Sequence, residues 1–256
     1  MKKTLKISVI TVCKNAEETI CETIKSVVYQ SYKNIEYIII DGGSRDKTVS
    51  MINKYRSRIS YFVSKPDAGI YDAMNKGIKR ASGEYCLFMN ANDEFYDLKT
   101  LDKLASEILK TSADIVFGDM IVFNPLTEKS FYMKYREIDK SFLYYDNIPH
   151  QSSVFRTDLF QRYGMYDNSY SIMGDYEWLL RAFATSKISI YYANFPVARF
   201  SIGGVSTSQI LSKKRRLERE NIRRQYFSSK ERFLYRMNPF NAVRKIRMYY
   251  NLMVIG

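Results

Sequence analysis

The chain has 256 residues, of which 46% are hydrophobic and 15% aromatic, so it can bury the core of one large domain. This composition excludes an intrinsically disordered chain. Three cysteines without a CxxC pair argue against a disulfide framework or a zinc site and favour a reducing compartment. No apolar stretch approaches the ~20 residues that a membrane-spanning helix needs, so we expect a cytoplasmic protein.

The net charge of +13 is concentrated at the C-terminal end. Residues 209–256 contain 13 Lys and Arg but only 3 Glu, which gives this segment +10 of the total. The rest of the chain is therefore close to neutral. Proteins that follow nucleic-acid phosphates carry positive charge across the binding face of the fold, so we expect no nucleic-acid partner.

The first 90 residues alternate β-branched apolar runs with segments of helical periodicity. Strands are predicted at 6–12, 36–40, 61–63 and 85–89. Helices are predicted between them: one capped by Asn15, one after the turn 41–46, and one at 70–81. This alternation predicts an α/β fold with a mostly parallel central sheet flanked by helices.

The remaining sequence predicts further elements and a tail. A helix at 97–110, strands at 114–123 and 130–135, helices at 157–163 and 175–184, and an aromatic strand at 188–200 follow in order. We therefore predict a domain at 1–205, made of two halves of about 1–95 and 96–205. A basic helical C-terminal extension at 206–256 completes the chain.

Four predicted strands end in polar residues, at 11–15, 41–44, 64–69 and 90–93. Ligands of open parallel sheets bind beyond the carboxyl ends of the strands, so these segments can line one edge of the sheet. Taken singly, each segment is also what an ordinary turn would use. Their order along the chain favours a shared site.

These segments resemble the nucleotide-sugar glycosyltransferases of family 2, which have the GT-A fold. The resemblance covers about residues 4–205 and rests on four motifs: ISVITVCKNAEETI, YIIIDGGSRDKT, KPDAGIYDAMNKGI and IKRASGEYCLFMNANDEF. The third motif is similar to a subgroup found among bacterial capsule and exopolysaccharide enzymes.

The resemblance implies a reaction. We expect transfer of a sugar, with inversion, from a nucleotide-diphosphate donor to a glycan or lipid-linked acceptor in cell-surface polysaccharide biosynthesis. A UDP-sugar is the expected donor, and the enzyme would be a hexosyltransferase that makes single additions. The alternative is a non-catalytic module that binds nucleotide sugars or glycans on the same fold.

Residue chemistry and the resemblance indicate the same donor-binding positions. Asp41 can accept a hydrogen bond from the ring N–H of a uracil-type base, and Thr11 and Asn15 can bond to ribose or base. Asp67 can do likewise where Gly69 lets the backbone approach a ligand closely. The alternative for Asp41 is a turn cap that uses its carboxylate on local amides.

The segment 90–93 takes the place of the Asp-x-Asp metal motif of the resembling family, but Asp93 is its only carboxylate. Mg²⁺ commonly uses only one or two protein carboxylates and fills its other positions with phosphate and water. Asp93 is therefore predicted to hold Mn²⁺ or Mg²⁺, with Asn92 beside it on the donor side. The missing acid leaves metal dependence open.

A second acidic cluster, around Asp175, is predicted to form the acceptor side of the site. Asp175 matches the family's general base, which removes the proton of the acceptor hydroxyl and is typically worth ~10²–10⁴-fold in rate. The alternative is a simple helix cap. Glu177 and Trp178 are expected as an acceptor-site wall and a core anchor. The segment around His150, the only histidine, borders the acceptor cleft in the resembling family, and the alternative for His150 is a structural group with its hydrogen bonds satisfied. All three are assigned to acceptor binding.

The tail predicts two basic helices, one from Ser212 and one from Asn238. The second combines Arg244, Lys245 and Arg247 with the apolar series Phe240, Val243, Ile246 and Tyr250. Such a helix suits an anionic membrane surface, so residues 209–256 predict peripheral attachment to the inner face of the cell membrane. Packing on the catalytic domain or on a second subunit, giving a homo-oligomer, are the alternatives.

Overall fold

The N-terminal part of the fold is a parallel sheet with helical crossovers. The computed structural model describes residues 5–136, 138–185, 187–202, 210–237 and 253–255. Its first elements are β1 (Ile7–Cys13), α1 (Ile20–Val28), β2 (Ile35–Asp41), α2 (Thr48–Asn53), β3 (Tyr61–Ser64), α3 (Ile70–Arg80) and β4 (Tyr85–Phe88). These strands lie in the order β3-β2-β1-β4, and each neighbouring pair is parallel. The four strands predicted for this region are confirmed.

The register of these strands gathers their polar ends at one edge. Cys13 is paired with Asp41, and Asp41 is paired in turn with Ser64. Because all strands run in the same direction, the loops that follow them leave the sheet on the same side. The carboxyl edge predicted as the site is therefore formed.

The second part of the fold makes the sheet mixed. Its elements are β5 (Asp93–Phe95), α4 (Thr100–Thr111), β6 (Ile115–Asn124), β7 (Lys129–Met133), α5 (Lys140–Tyr145), a 3₁₀ turn at His150–Ser152, β8 (Ser153–Arg156), α6 (Leu159–Arg162), α7 (Gly174–Phe183) and β9 (Ile190–Ser201). β8 runs antiparallel to β4 and to β6, whereas β9 runs parallel to β6 and antiparallel to β5. The predicted α/β class is confirmed, with the parallel ladder ending at β4.

Apolar side chains fill both faces of the sheet. Alternate residues of β1 enter opposite layers, Ile10 and Val12 on one face and Ile7 and Val9 on the other. Helices cover both layers, which explains why β1 is buried along its whole length. Each fully buried aliphatic side chain contributes about 1.5–3 kcal/mol, so this sheet is a rigid platform for the loops at its edge.

The first tail helix belongs to this core. α8 (Ser212–Tyr226) is followed by α9 (Ser229–Met237), and the strand β10 (Met253–Ile255) pairs antiparallel with β7. Ile222 and Phe227 are fully buried in the layer that also contains Trp178. The helix predicted from Ser212 is thus present and packed. The helix predicted from Asn238 lies outside the described residues, and the division of the chain at residue 206 stays a prediction.

One local prediction needs correction. Asn15 does not cap α1, because its backbone adopts a left-handed φ of 49° and the helix begins only at Ile20. Its side-chain carbonyl instead accepts a hydrogen bond from the Arg45 amide at 2.9 Å. The short elements β5 and α5 were not predicted, since neither carries a periodic apolar run. Among the helices in the described ranges, none is long and apolar enough to cross a membrane.

Candidate active site

A cleft of about 510 Å³ opens at the carboxyl edge of β1 and β4. Seven of the residues predicted for the site line it: Asn15, Asp67, Gly69, Asn92, Asp93, His150 and Asp175. They come from loops after β1, β3 and β4, from the 3₁₀ turn before β8, and from the start of α7. The fold therefore brings donor-side and acceptor-side predictions to one cavity.

Asp93 lines this cleft but is almost completely buried. It begins β5, where it is paired with Phe200 of β9, and its residue surface is only 5% exposed. Burial, reinforced by the neighbouring Glu94, raises the pKa of this carboxyl well above its usual range. Within the described ranges no side chain forms an ion pair or hydrogen bond with it. A buried carboxylate in such surroundings is stabilised by any cation that reaches it.

Asn90, which lines the same cleft as Asp93, supplies a further oxygen. The Asn90 Oδ1 atom is buried and has no hydrogen-bond partner among the described residues. The described chain contains no cluster of three or more His, Cys, Asp or Glu side chains that could hold a metal ion by themselves. One carboxylate with nearby amide oxygen fits a hard divalent cation that takes its other ligands from phosphate and water.

Asn92 shapes the same turn through its backbone. Its φ of 84° is left-handed, a conformation in which Asn is enriched among non-glycine residues. Its backbone amide donates to Thr23 Oγ1 at 3.1 Å, and its side-chain amide donates to the Ser201 carbonyl at 3.3 Å. Asn92 thus ties the turn before β5 to α1 and β9.

Asp175, at the start of α7, differs from Asp93 because hydrogen-bond donors surround its carboxylate. Its Oδ2 atom accepts hydrogen bonds from Asn147 Nδ2 at 3.1 Å and from His150 Nδ1 at 3.2 Å. Its Oδ1 atom accepts from the Tyr176 amide at 2.9 Å. The Tyr71 hydroxyl lies 3.1 Å from the same Oδ1 atom. These donors fix the orientation of the Asp175 carboxylate toward the cleft.

The Tyr71 hydroxyl shares its single proton between two acceptors. It lies 2.7 Å from the Ile172 carbonyl and slightly farther from Asp175. Burial, together with the charge of Asp175, raises the pKa of Tyr71 well above its usual range, so the phenol stays protonated. Tyr71 therefore acts as a fixed donor between α3 and the start of α7.

A glutamate from the tail caps the helix that carries Asp175. The Glu218 carboxylate of α8 accepts hydrogen bonds from the backbone amides of Ser171, Ile172 and Met173, each at 3.0 Å. These three residues directly precede α7, whose own first residues provide no side-chain cap. An anion at this place satisfies free amides and complements the helix dipole. The tail thus fixes the segment that positions Asp175.

Two glycines shape the donor rim of the cleft. Gly69 has a φ of 130°, which side chains rarely allow, and an added Cβ would meet nothing within 4 Å. The Gly69 amide donates to Asp67 Oδ1 at 3.1 Å. Asp67 also packs on Gly42, where a Cβ would approach Asp67 Oδ2 to 2.3 Å. The rim is therefore tightly packed at Gly42 and open at Gly69.

The family follows from a direct comparison. Residues 8–164, more than half of the chain, match the family described as Glycosyl transferase family 2. The chain belongs to glycosyltransferase family 2. A "PGL/p-HBAD biosynthesis glycosyltransferase" of Mycobacterium bovis is 28% identical over 209 residues, which covers 78% of this chain and 79% of the relative. An uncharacterized glycosyltransferase of Mycobacterium tuberculosis is 34% identical over 186 residues, 69% of this chain and 68% of the relative.

Solved structures share the fold at lower identity. S. aureus TarS (1–349), in complex with UDP, has a TM-score of 0.63 at 19% identity and covers 97% of this chain and 80% of its own. The mannosyltransferase PcManGT of Pyrobaculum calidifontis, in complex with GDP-Man and Mn²⁺, has a TM-score of 0.61 at 14% identity, with 80% and 59% covered. The GT-A fold expected from the sequence is confirmed.

Two residues expected to bind the donor do not reach the cleft of this family 2 chain. The Thr11 hydroxyl donates to the Met89 carbonyl at 2.6 Å, and the residue is fully buried. Asp41 is also fully buried, and its Oδ2 atom accepts from the Ser44 amide at 2.9 Å and from Ser64 Oγ at 2.6 Å. Local donors therefore occupy Asp41, as in the turn-cap alternative.

Two residues assigned to acceptor binding, Glu177 and Trp178, make their contacts within the protein, and Trp178 is buried as expected of a core anchor. The Glu177 carboxylate pairs with Arg181 of the same helix at 2.9 Å and accepts from the Tyr226 hydroxyl of α8. Trp178 is 1% exposed and stacks on Phe160 with ring centroids 4.5 Å apart. Helical periodicity explains both outcomes, because residues two and three positions after Asp175 face the core while Asp175 faces the cleft.

Sequence reasoning missed three residues that contact the site: Tyr71, Asn147 and Glu218. Tyr71 lies within a motif that carries the family resemblance, so its position was the available signal. Asn147 and Glu218 lie outside the motifs. Their contacts depend on chain segments that are 28 and at least 45 residues away, which no local pattern encodes.

Proposed function

We propose that this family 2 chain transfers a hexose, with inversion, from a UDP-sugar to a glycan or lipid-linked acceptor in cell-surface polysaccharide biosynthesis. The observation that carries the proposal is that Asp93 and Asp175 line one cleft at the carboxyl edge of the sheet. The described complexes of similar folds, TarS with UDP and PcManGT with GDP-Man, support a nucleoside-diphosphate-sugar donor.

Asp175 acts as the general base in this proposal. Its two oxygens already lie within hydrogen-bonding distance of four donor groups, close to the accepting capacity of a carboxylate. An incoming acceptor hydroxyl therefore replaces one of these donors before its proton moves to Asp175. The oxygen then attacks the anomeric carbon from the face opposite the diphosphate, which inverts the configuration.

Asp93 lies on the donor side of the same cleft. It would hold Mn²⁺ or Mg²⁺, which supplies positive charge to the leaving diphosphate. Asn15, Asp67, Gly69 and Asn92 form the rim that would contact the nucleotide and its phosphates. Asn15 and Asp67 present side-chain oxygens there, and Gly69 leaves space for close approach.

The reaction is tested with a panel of UDP-, GDP- and dTDP-sugars in the presence of Mn²⁺. Donor hydrolysis and transfer to a lipid-linked or glycan acceptor are scored by mass spectrometry, and binding is scored by thermal shift. Turnover of one donor class with a product of inverted configuration is the expected result. Thermal stabilisation by a nucleotide sugar without any turnover would instead identify a non-catalytic binding module.

We further propose that the tail attaches the enzyme reversibly to anionic membrane. On α9, the series Lys230, Phe233, Leu234 and Met237 follows helical spacing, and its three apolar members are 63%, 53% and 66% exposed. An exposed apolar stripe within a segment of net charge +10 suits lipid of negative charge, each basic residue near the surface adding about 1 kcal/mol. Attachment would bring a lipid-linked acceptor to the cytoplasmic enzyme.

Sedimentation with vesicles that contain phosphatidylserine tests this attachment. The double variant Phe233→Ser/Leu234→Ser, and separately deletion of 238–256, should release the protein while donor hydrolysis is retained, and high salt should weaken binding. Leu109→Ser, an exposed apolar residue on α4, is the matched control. If the intact chain ignores these vesicles at low salt, membrane attachment is rejected, and light scattering then shows whether the tail joins two copies.

A further inference from the structure

His150 connects the two sides of the cleft through both of its ring nitrogens. Nδ1 lies 3.2 Å from Asp175 Oδ2, and Nε2 lies 3.0 Å from the Asn90 amide nitrogen. We infer that His150 is a positioning residue that aims the carboxylate of Asp175, and that Asn90 keeps His150 in the form that does so. This inference rests on the proposed function, in which Asp175 is the base.

The contacts determine where the ring carries its proton. An ionised carboxylate can only accept hydrogen bonds, so the Nδ1 atom that faces Asp175 must be the N–H donor. In a neutral ring the Nε2 atom is then an acceptor, and the Asn90 Nδ2–H group donates to it. Asn90 therefore favours the Nδ1–H tautomer. An aspartate at position 90 could not donate in this way, which gives the departure from the Asp-x-Asp pattern a physical role.

The ring is also fixed by packing. The His150 side chain is 16% exposed, and its ring meets the buried Phe88 of β4 edge-on, with centroids 6.3 Å apart. With both nitrogens engaged inside the protein, His150 has no free polar atom for a sugar hydroxyl. The expectation that His150 binds the acceptor is replaced by a role exerted through Asp175.

This placement predicts which kinetic constant changes. Loss of the Nδ1–H donor lets the Asp175 carboxylate rotate away from the acceptor hydroxyl, and small misplacements of reacting groups can cost up to ~10²-fold in rate. The donor side of the cleft is not altered, so the KM for the nucleotide sugar should remain within a few-fold. The effect should appear in kcat.

Two amide substitutions separate the nitrogens of His150. His150→Asn places an amide nitrogen where Nδ1 was and can still donate to Asp175. His150→Gln places its amide where Nε2 was, so it retains a polar group for Asn90 but removes the donor to Asp175. We expect kcat to fall roughly 10- to 100-fold in His150→Gln and much less in His150→Asn, with equal thermal stability in both.

The result that overturns the inference is equally specific. A change confined to the KM of the acceptor in both variants would return His150 to acceptor binding. Equal losses of kcat in the two variants, accompanied by equal losses of thermal stability, would make the ring a packing element only.

A second measurement needs no turnover. Because His150 is the only histidine in the chain, the long-range ¹H–¹⁵N spectrum of its ring can be assigned without mutants. We expect the Nδ1–H tautomer in the wild type and its loss in Asp175→Ala. A wild-type Nε2–H tautomer would overturn the inference. If the protein shows the Nδ1–H form but turns over no donor, the proposed function is rejected. The contact between His150 and Asp175 would still be supported.

Discussion

Two of the carboxylates that line the cleft, Asp93 and Asp175, have opposite surroundings. Asp175 is met by hydrogen-bond donors from α3, α7 and the 3₁₀ turn, whereas Asp93 is buried without a donor among the described side chains. The first arrangement stabilises a carboxylate that is ready to act before any ligand arrives. The second makes the carboxylate depend on a cation or proton that arrives with the ligand. The comparison teaches that one residue type can serve two roles because its neighbours decide its charge.

The largest effect is expected at the base. Asp175→Asn retains the shape of the side chain and an oxygen that accepts hydrogen bonds, but it removes the basic carboxylate. Sugar transfer should fall by about two to four orders of magnitude, while the affinity for UDP, measured by calorimetry, stays within a few-fold. A collapse of UDP binding would show that Asp175 belongs to the donor site and that another group is the base.

The next largest effect tests the assignment of Asp93 as a metal ligand. Asp93→Ala should abolish the metal-dependent part of donor binding and nearly all transfer, because no other carboxylate of the segment 90–93 can replace it. Donor affinity is measured with and without Mn²⁺. Asn90→Ala removes only a neutral oxygen from this site, so the loss of metal-dependent donor binding should be milder. Full activity of Asp93→Ala would rule out the proposed metal site.

A smaller loss of transfer is expected when the Glu218 cap on the helix of Asp175 is removed. Glu218→Ala leaves three backbone amides before α7 without their acceptor, at a cost of about 1–3 kcal/mol for each buried group that water does not reach. The melting temperature should fall, and transfer should fall with it because the start of α7 loosens around Asp175.

Glu220→Ala on the same helix is the control for Glu218. Its carboxylate forms a surface pair with Arg236 at 2.7 Å, a type of pair worth only about 0.2–1 kcal/mol. Its removal should leave both the melting temperature and transfer nearly unchanged. Equal effects of the two substitutions would show that the cap on α7 has no special importance.

The smallest expected effect is the contribution of Asp93 to the pH dependence of folding stability. The folded pKa of Asp93 is raised above the unfolded value of about 3.9. The folded state therefore holds this proton more tightly, and stability decreases as pH rises from about 4 toward the folded pKa. Asp93→Asn should remove this decrease, so its melting temperature should exceed that of the wild type by a margin that grows with pH. Mn²⁺ should raise the melting temperature of the wild type and not of the variant.

Strands and motif order were predictable because both depend on local sequence. The β-branched runs of β1 and β2 and the polar residues after them indicated a buried parallel sheet with a site at its edge. This was sufficient to place Asp93 at that edge, whereas Asp175 was assigned from the family resemblance. It was not sufficient for Thr11 and Asp41, because a polar residue at a strand end can turn toward a ligand or toward its own loop. Hydrogen bonds to Met89 and Ser64 decided that choice.

By itself, the sequence determined the family, the α/β class and seven of the residues that line the cleft, since short-range periodicity and motif spacing carry that information. Only the tertiary structure decided which carboxylate is held by donors and which is left without them. It also decided that a glutamate of the basic tail caps α7 and that His150 contacts both Asn90 and Asp175. These contacts join residues that are 25 to 60 positions apart. Distances of this kind are set by how the layers pack, and no local pattern of side chains specifies them.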